Sequence, residues 1–225
     1  MKPFDEIFDK AARRKGGEAE LKQLIKPEIK SAKQLRDTPD DRYLAAMTNQ
    51  VFKAGFVWRV IDNKWDGFEQ AFWNFNVMRC AHMSPDDEEK LVRDERIVRN
   101  RQKIVTVQRN AGFILDIQQS HGSFGNLLAD WPQDDFIGLL LLLKKRGARL
   151  GGNSGQYFLR RVGKDGFALG RDGVAALIDA GVIDKPPTSQ AGMKKVQAAF
   201  NQWRNETGLG YAQISRVLAF SIDAK

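Results

Sequence analysis

Apolar residues recur along this chain at intervals of three and four. Leu21, Leu24 and Ile25 form one short stripe; Ile97, Ile104, Val107, Ala111, Ile114, Leu115 and Ile117 form a longer one. This spacing places side chains on one face of an α-helix, and no run alternates apolar and polar residues as a half-buried strand would. The pattern predicts an all-α fold. Breaks at Gly16-Gly17, Pro27, Pro39, Ser84-Pro85, His121-Gly122, Pro132, Gly147, Gly163 to Gly166 and Lys185 to Thr188 cut it into about ten to twelve short helices. Ser84-Pro85-Asp86-Asp87-Glu88 is a start signal, with a serine cap, proline at the first helical position and acids facing the positive end of the helix. Residues 1–37 read as a charged helical N-terminal arm, 38–187 as the core, and 188–225 as closing helices that end in Val217, Leu218 and Phe220.

With 225 residues, 42% of them hydrophobic, the chain can bury a sizeable core in one large domain or two packed lobes. The longest apolar run, Ile137 to Leu143 broken by Gly138, is far short of a membrane span, and no apolar stretch follows the charged start. A cytoplasmic protein with no membrane association is expected. Cys80 is the single cysteine, so no intrachain disulfide can form; with only His82 and His121 beside it, the composition argues against a structural zinc cluster.

The charge is uneven. Between Lys144 and Arg171 lie eight basic residues (Lys144, Lys145, Arg146, Arg149, Arg160, Arg161, Lys164 and Arg171) and one acid, Asp165, a local +7 in a chain whose total is +8. That concentration is the electrostatic footprint of a nucleic-acid surface. Within it Gly151, Gly152 and Gly155 permit a tight turn, and Asn153 and Ser154 suit the cap of a helix beginning near Gly155. Outward amides and the helix dipole there would bind a phosphate without reading a base. The plain alternative is a helix-turn-helix corner with solvated lysines. A second basic group, Arg99, Arg101 and Lys103, is either a solvated helix face or a clamp on the opposite strand.

Eight of the 22 aromatic residues lie between Phe52 and Phe75. Most such rings belong to a helical core. Gln50, however, stands eight residues before Trp58 with the small Ala54-Gly55 step between them, a composition suited to a flat pocket for an unstacked base.

Residues QVFKAGFVWRVI from Gln50, then FEQAFWNF and RIVRNRQKIVTVQRNA, resemble the bacterial 3-methyladenine DNA glycosylase I family of the helix-hairpin-helix DNA glycosylase superfamily. LLKKRGARLGGNSGQYFL resembles its hairpin segment, which places the helix-hairpin-helix around 137–163. The resemblance implies a helical enzyme of base-excision repair. It would act as a monomer on double-stranded DNA containing alkylated bases, flipping an alkylated purine, chiefly 3-methyladenine, and hydrolysing its glycosidic bond with no cofactor, no metal in the chemistry and no lyase step.

The family's base-recognising glutamate falls on Gln50, which offers hydrogen bonds but no negative charge. Trp58 keeps the pocket tryptophan, and Phe52, Lys53 and Tyr43 complete the expected base pocket. The family's tyrosine-histidine-aspartate segment has no counterpart before Gln50, Tyr43 being the nearest aromatic, and its zinc clasp is missing, with a histidine position falling on Gly173. The lysine of lyase-active superfamily members falls on Gln156. The superfamily aspartate after the hairpin falls on Asp172, the catalytic candidate, which would stabilise positive charge on the sugar; capping the helix after it is the other reading. Two further readings stay open: a non-catalytic binder of damaged or distorted DNA, and a glycosylase of altered lesion specificity.

Overall fold

The computed structural model describes residues 1–222, and among these it holds fifteen α-helices and no strand. In chain order they are α1 (Phe4–Lys15), α2 (Glu18–Leu24), α3 (Ala32–Arg36), α4 (Asp40–Lys53), α5 (Trp58–Asn63), α6 (Trp65–Ala71), α7 (Val77–Ala81), α8 (Pro85–Arg93), α9 (Arg101–His121), α10 (Phe124–Asp130), α11 (Phe136–Arg146), α12 (Asn153–Arg161), α13 (Arg171–Asp179), α14 (Gln190–Thr207) and α15 (Tyr211–Phe220). A 3₁₀ turn spans Trp73–Phe75. The all-α expectation holds, with more helices than the ten to twelve read from the breaks. The excess lies where neither glycine nor proline marks an end: α5 and α6 meet at Lys64, whose backbone (φ −96°, ψ 4°) closes one helix and opens the next.

The chain forms two compact units. One comprises Met1–Ile29, Pro132–Leu139 and the chain from Asp165 onward. Its core is a run of rings: Phe136 to Phe167 at 4.8 Å between centroids, Phe167 to Phe200 at 4.3 Å, Phe200 to Trp203 at 5.9 Å and Trp203 to Phe4 of α1 at 5.9 Å. Asp165, the lone acid of the basic window, is a helix cap. Its carboxylate accepts the Tyr211 and Ala212 amides at 3.1 and 2.9 Å, where the positive end of α15 favours an anion.

The second unit comprises Lys30–Trp131 and Leu140–Lys164 and is organised around α4 and α9. Every residue of α4 from Tyr43 to Lys53 is buried. Helices packed on all sides are normally apolar all round; α4 instead carries Thr48, Asn49, Gln50 and Lys53 into the interior. The Asp40 carboxylate at its start accepts the Phe124 amide at 3.0 Å and the Gln118 side-chain amide at 2.8 Å, tying α4 to α10 and α9; burial raises its pKa above the ordinary carboxyl value.

Helix α10 approaches α3 so closely that a methyl on Gly125 would lie 2.3 Å from the Leu35 carbonyl oxygen, whereas one on Gly112 of α9 would meet nothing within 4 Å. Gly125→Ala should therefore destabilise by about 1–3 kcal/mol through overpacking, while Gly112→Ala should stabilise by about 0.5–1 kcal/mol through helix entropy. Chemical denaturation of the two variants checks this opposition of sign.

Candidate active site

The site is built at the C-terminal end of α4. Ala54 leaves the helix with ψ 114°, and Gly55 follows at φ 76°, a left-handed angle that costs glycine little. The chain thereby turns within the four residues 54–57 from the end of α4 to Trp58 at the start of α5. Lys103 of α9 fixes this turn. Its buried ammonium donates to the Phe52 carbonyl at 3.0 Å and the Ala54 carbonyl at 2.6 Å, and lies 4.3 Å from the centroid of the Phe56 ring. A cation is favoured where the last carbonyls of a helix are left without intrahelical partners. Burial, then the Arg149 charge, pushes its pKa below the ordinary lysine value.

Gln50 and Lys53 are three residues apart on one face of α4, and both are buried. The Lys53 ammonium lies 5.4 Å from the centroid of the Trp58 ring and 2.6 Å from Asp62 of α5. Trp58 is 53% exposed, and the ring of Tyr157, from α12, meets it edge-on with centroids 6.0 Å apart. Asn49 precedes Lys53 by one turn. It is fully buried, and neither atom of its amide has a hydrogen-bond partner among the described residues.

The structure thus sets Lys53 against Trp58, with Gln50 buried about one turn before Lys53 on α4, and adds Tyr157, which the sequence did not point to. Tyr157 sits within the hairpin motif, and only the approach of α12 to α4 brings it against Trp58. Two expected pocket residues lie instead in the core. Tyr43 is completely buried, donates its hydroxyl to the Leu35 carbonyl at 2.7 Å and meets the Phe124 ring at 5.3 Å; burial pushes its pKa up to about 12. Phe52 packs edge-on against Phe68 at 4.7 Å.

Helices α11 and α12 with the turn between them form the hairpin. Asn110, fully buried in α9, latches the turn: its Oδ1 accepts the Ala148 amide at 2.7 Å and its Nδ2 donates to the Ala148 carbonyl at 3.3 Å. Arg149 adopts φ 60° and donates to the Gln102 side chain at 2.8 Å. A methyl on Gly155 would lie 2.5 Å from the Leu150 carbonyl oxygen, so glycine there is a requirement of closeness. Helix α12 begins at Asn153, not near Gly155, with Gly152 (φ 57°) as its cap and no capping side chain; Asn153 and Ser154 are its first two residues and do not cap it. Gly151 lies behind this exposed end, its α-carbon side facing the Lys144 stem.

The basic window is divided in space. Lys144, Lys145, Arg146 and Arg149 are exposed around the turn. Arg146 also pairs with Asp116 at 2.6 Å. Lys164 is buried and donates to the Leu128 carbonyl at 2.7 Å, while Arg171 belongs to the other unit. Of the second basic group, Lys103 is turned inward as described, Arg101 is held by Glu88 at 2.7 Å and by Glu89, and Arg99 faces Glu95 at 3.4 Å. These three form no free clamp. Arg109 lies instead beside the hairpin turn: two open grooves of about 410 and 370 Å³ flank Ala148, and Arg109 lines both, with Lys145 and Arg146 in the first and Arg149 in the second. Its spacing of eight from Arg101 put it on that face of α9 in the sequence.

Asp172 lies in the first unit, in the first turn of α13, whereas α12 and the turn before it lie in the second. The cap is Gly170, so Asp172 is not the capping residue; its Oδ1 accepts from Arg171 Nε at 3.2 Å. Among the described residues no three His, Cys, Asp or Glu side chains converge as metal ligands. Cys80 is buried, its Sγ donating to the Phe72 carbonyl at 3.4 Å, and burial pushes its pKa up to about 12. No helix among the described residues is long and apolar enough to cross a membrane.

Comparison with known proteins matches residues 35–137, the segment containing α4, Trp58 and all of α9, to the methyladenine glycosylase family. Over that segment, a little under half of its length, the chain is similar to the methyladenine glycosylases. DNA-3-methyladenine glycosylase 1 of Escherichia coli K12 is 32% identical over 72 residues, a stretch amounting to 32% of this chain and 38% of that relative. The 3-methyladenine DNA glycosylase I of Staphylococcus aureus superposes with a TM-score of 0.49 at 25% identity, over 56% of this chain and 77% of that one. The 8-oxoguanine DNA glycosylase of Methanocaldococcus jannaschii superposes over 96% of this chain and 92% of that one, with a TM-score of 0.58 at 16% identity. The last likeness is one of fold. The segment similar to methyladenine glycosylases is thus set in an all-helical fold like that of the 8-oxoguanine DNA glycosylase, a likeness that covers nearly the whole chain.

Lys103→Met removes the charged donor to two buried carbonyls, and a loss of about 2–3 kcal/mol is expected in urea unfolding. Because the same donor fixes the turn before Trp58, tryptophan emission of the folded variant should also move toward that of a more solvated indole.

Proposed function

We propose that the protein is a DNA glycosylase that flips an alkylated purine out of double-stranded DNA, houses it beside Gln50, Trp58 and Tyr157, and hydrolyses its N-glycosidic bond. Trp58 carries this reading. It is a half-exposed indole on a short helix, with a buried amide on the neighbouring helix and a second ring meeting it edge-on. Such a constellation receives an unstacked base. The matched segment and the name of the E. coli relative make alkylated purines, with 3-methyladenine the reference lesion, the first class to test.

The hairpin would hold the DNA backbone through the amides that open α12 and through Lys144, Lys145, Arg146 and Arg149, with Arg109 beside them. Such contacts set position, not sequence. Gln156 supplies an amide, not an amine, at the Schiff-base position, which favours a monofunctional hydrolase. Asp172 is the proposed anion. As the bond breaks its carboxylate would stabilise positive charge on the sugar and orient water for attack at C1′. A monomer needing no metal is expected. The second reading, a non-catalytic binder of damaged DNA, is favoured by one observation, the amide of Gln50 in place of a carboxylate.

The test is single-turnover release of free base from duplexes carrying a panel of alkylated purines, with chelator present throughout. Release is expected, and Asp172→Asn should slow it by about 10²-fold or more while leaving DNA binding unchanged; binding without release of any base would select the second reading. Affinity for duplex DNA should fall steeply with salt, and Lys145→Ala should reduce the log–log slope by about 1.

A further inference from the structure

The buried face of α4 that would meet the base carries a cation and no anion. Residues 43–53 contain neither Asp nor Glu. The Lys53 side chain is 8% exposed, and its ammonium stands 5.4 Å from the centre of the Trp58 ring, the distance at which a cation is attracted to an aromatic face. Its counter-ion, Asp62, belongs to α5 and is half-exposed, so water screens the carboxylate more than the ammonium. A cationic base stacked on Trp58 would compete with Lys53 for the ring's electrons and be repelled by its charge.

We propose that the pocket selects a neutral alkylated purine with a hydrogen-bond-acceptor edge over a cationic one such as 3-methyladenine in DNA, and that Lys53 sets the choice. This deepens the glycosylase reading above and rests on it.

The leaving-group chemistry agrees. When the glycosidic bond of a cationic purine breaks, the bonding pair neutralises the base, which needs no further help to depart. When the base is neutral, the same pair leaves it as an anion, while water adds to C1′ and gives up a proton. A donor at the base edge then stabilises the anion until solvent protonates it. Lys53 Nζ and Gln50 Nε2 are such donors, and a charged donor makes the stronger bond to a developing anion. Lys53 thus favours the neutral base both in binding and in departure.

The experiment separates binding from cleavage. Duplexes carry either neutral 1,N6-ethenoadenine or cationic 7-methylguanine on a 2′-fluoro sugar that blocks hydrolysis, and affinities are measured for wild type, Lys53→Gln and Asp62→Asn. Wild type should bind the neutral lesion at least about tenfold more tightly, each tenfold corresponding to about 1.4 kcal/mol. Lys53→Gln should shrink that preference about tenfold and Asp62→Asn, which leaves the ammonium without its counter-ion, should widen it. Preference for the cationic lesion, or a ratio unmoved in Lys53→Gln, overturns the proposal. If the ratios behave as stated and matching cleavable duplexes release no base, the pocket assignment stands and the glycosylase reading fails.

Discussion

One buried ammonium holds the site together. The end of α4 presents carbonyls that the helix cannot satisfy, and Lys103 reaches two of them from α9. The burial that lowers its pKa would penalise an unpaired charge heavily; the two carbonyls and the Phe56 face supply what water would have. An apolar side chain such as methionine could pack there but would donate to neither carbonyl. The Ala54-Gly55 turn, the direction of α5 and the position of Trp58 follow from where Lys103 places those carbonyls.

The same long helix positions the hairpin. Seven residues after Lys103, Asn110 spends both halves of its amide on Ala148. Two buried polar side chains spaced about two turns apart on α9 therefore set the end of the pocket helix and the turn of the hairpin. Hydrogen bonds of this kind are directional, so they fix orientation as well as distance. A purely apolar α9 would leave both turns free to slide.

Much of this was legible in the sequence, and the failures share one cause. Apolar periodicity predicted an all-α chain, and Gly147 to Gly155 marked the hairpin, because glycine leaves a trace that needs no tertiary information. The aromatic cluster divided as packing requires: Phe52, Phe68, Phe72 and Phe75 are buried, while Phe56 and Trp58 stay partly open. What the sequence could not give was the direction of a charged side chain. Lys103 reads as a surface lysine beside Arg99 and Arg101, yet it points inward; Lys164 reads as part of a basic patch, yet it is buried against a helix end. Counting charge in a window assumes that all of it faces the same solvent. Tyr157 was missed for the complementary reason, since its meeting with Trp58 depends on a contact between residues 99 positions apart.

Helix α4 violates local rules in one place only. Along most of its buried surface it is as apolar as its setting demands, but Thr48, Asn49, Gln50 and Lys53 are polar or charged at buried positions, where apolar side chains are the rule. The Asn49 amide alone, buried without a partner among the described residues, costs on the order of 1–3 kcal/mol. Stability cannot account for such residues. Where local choices disagree with the core around them, the disagreement marks a site that does something else. Here Lys53 of that group pairs with Asp62 of α5 and lies beside the half-exposed Trp58 indole, which is the physical reason for proposing recognition there and not in the better-packed aromatic cluster beyond it.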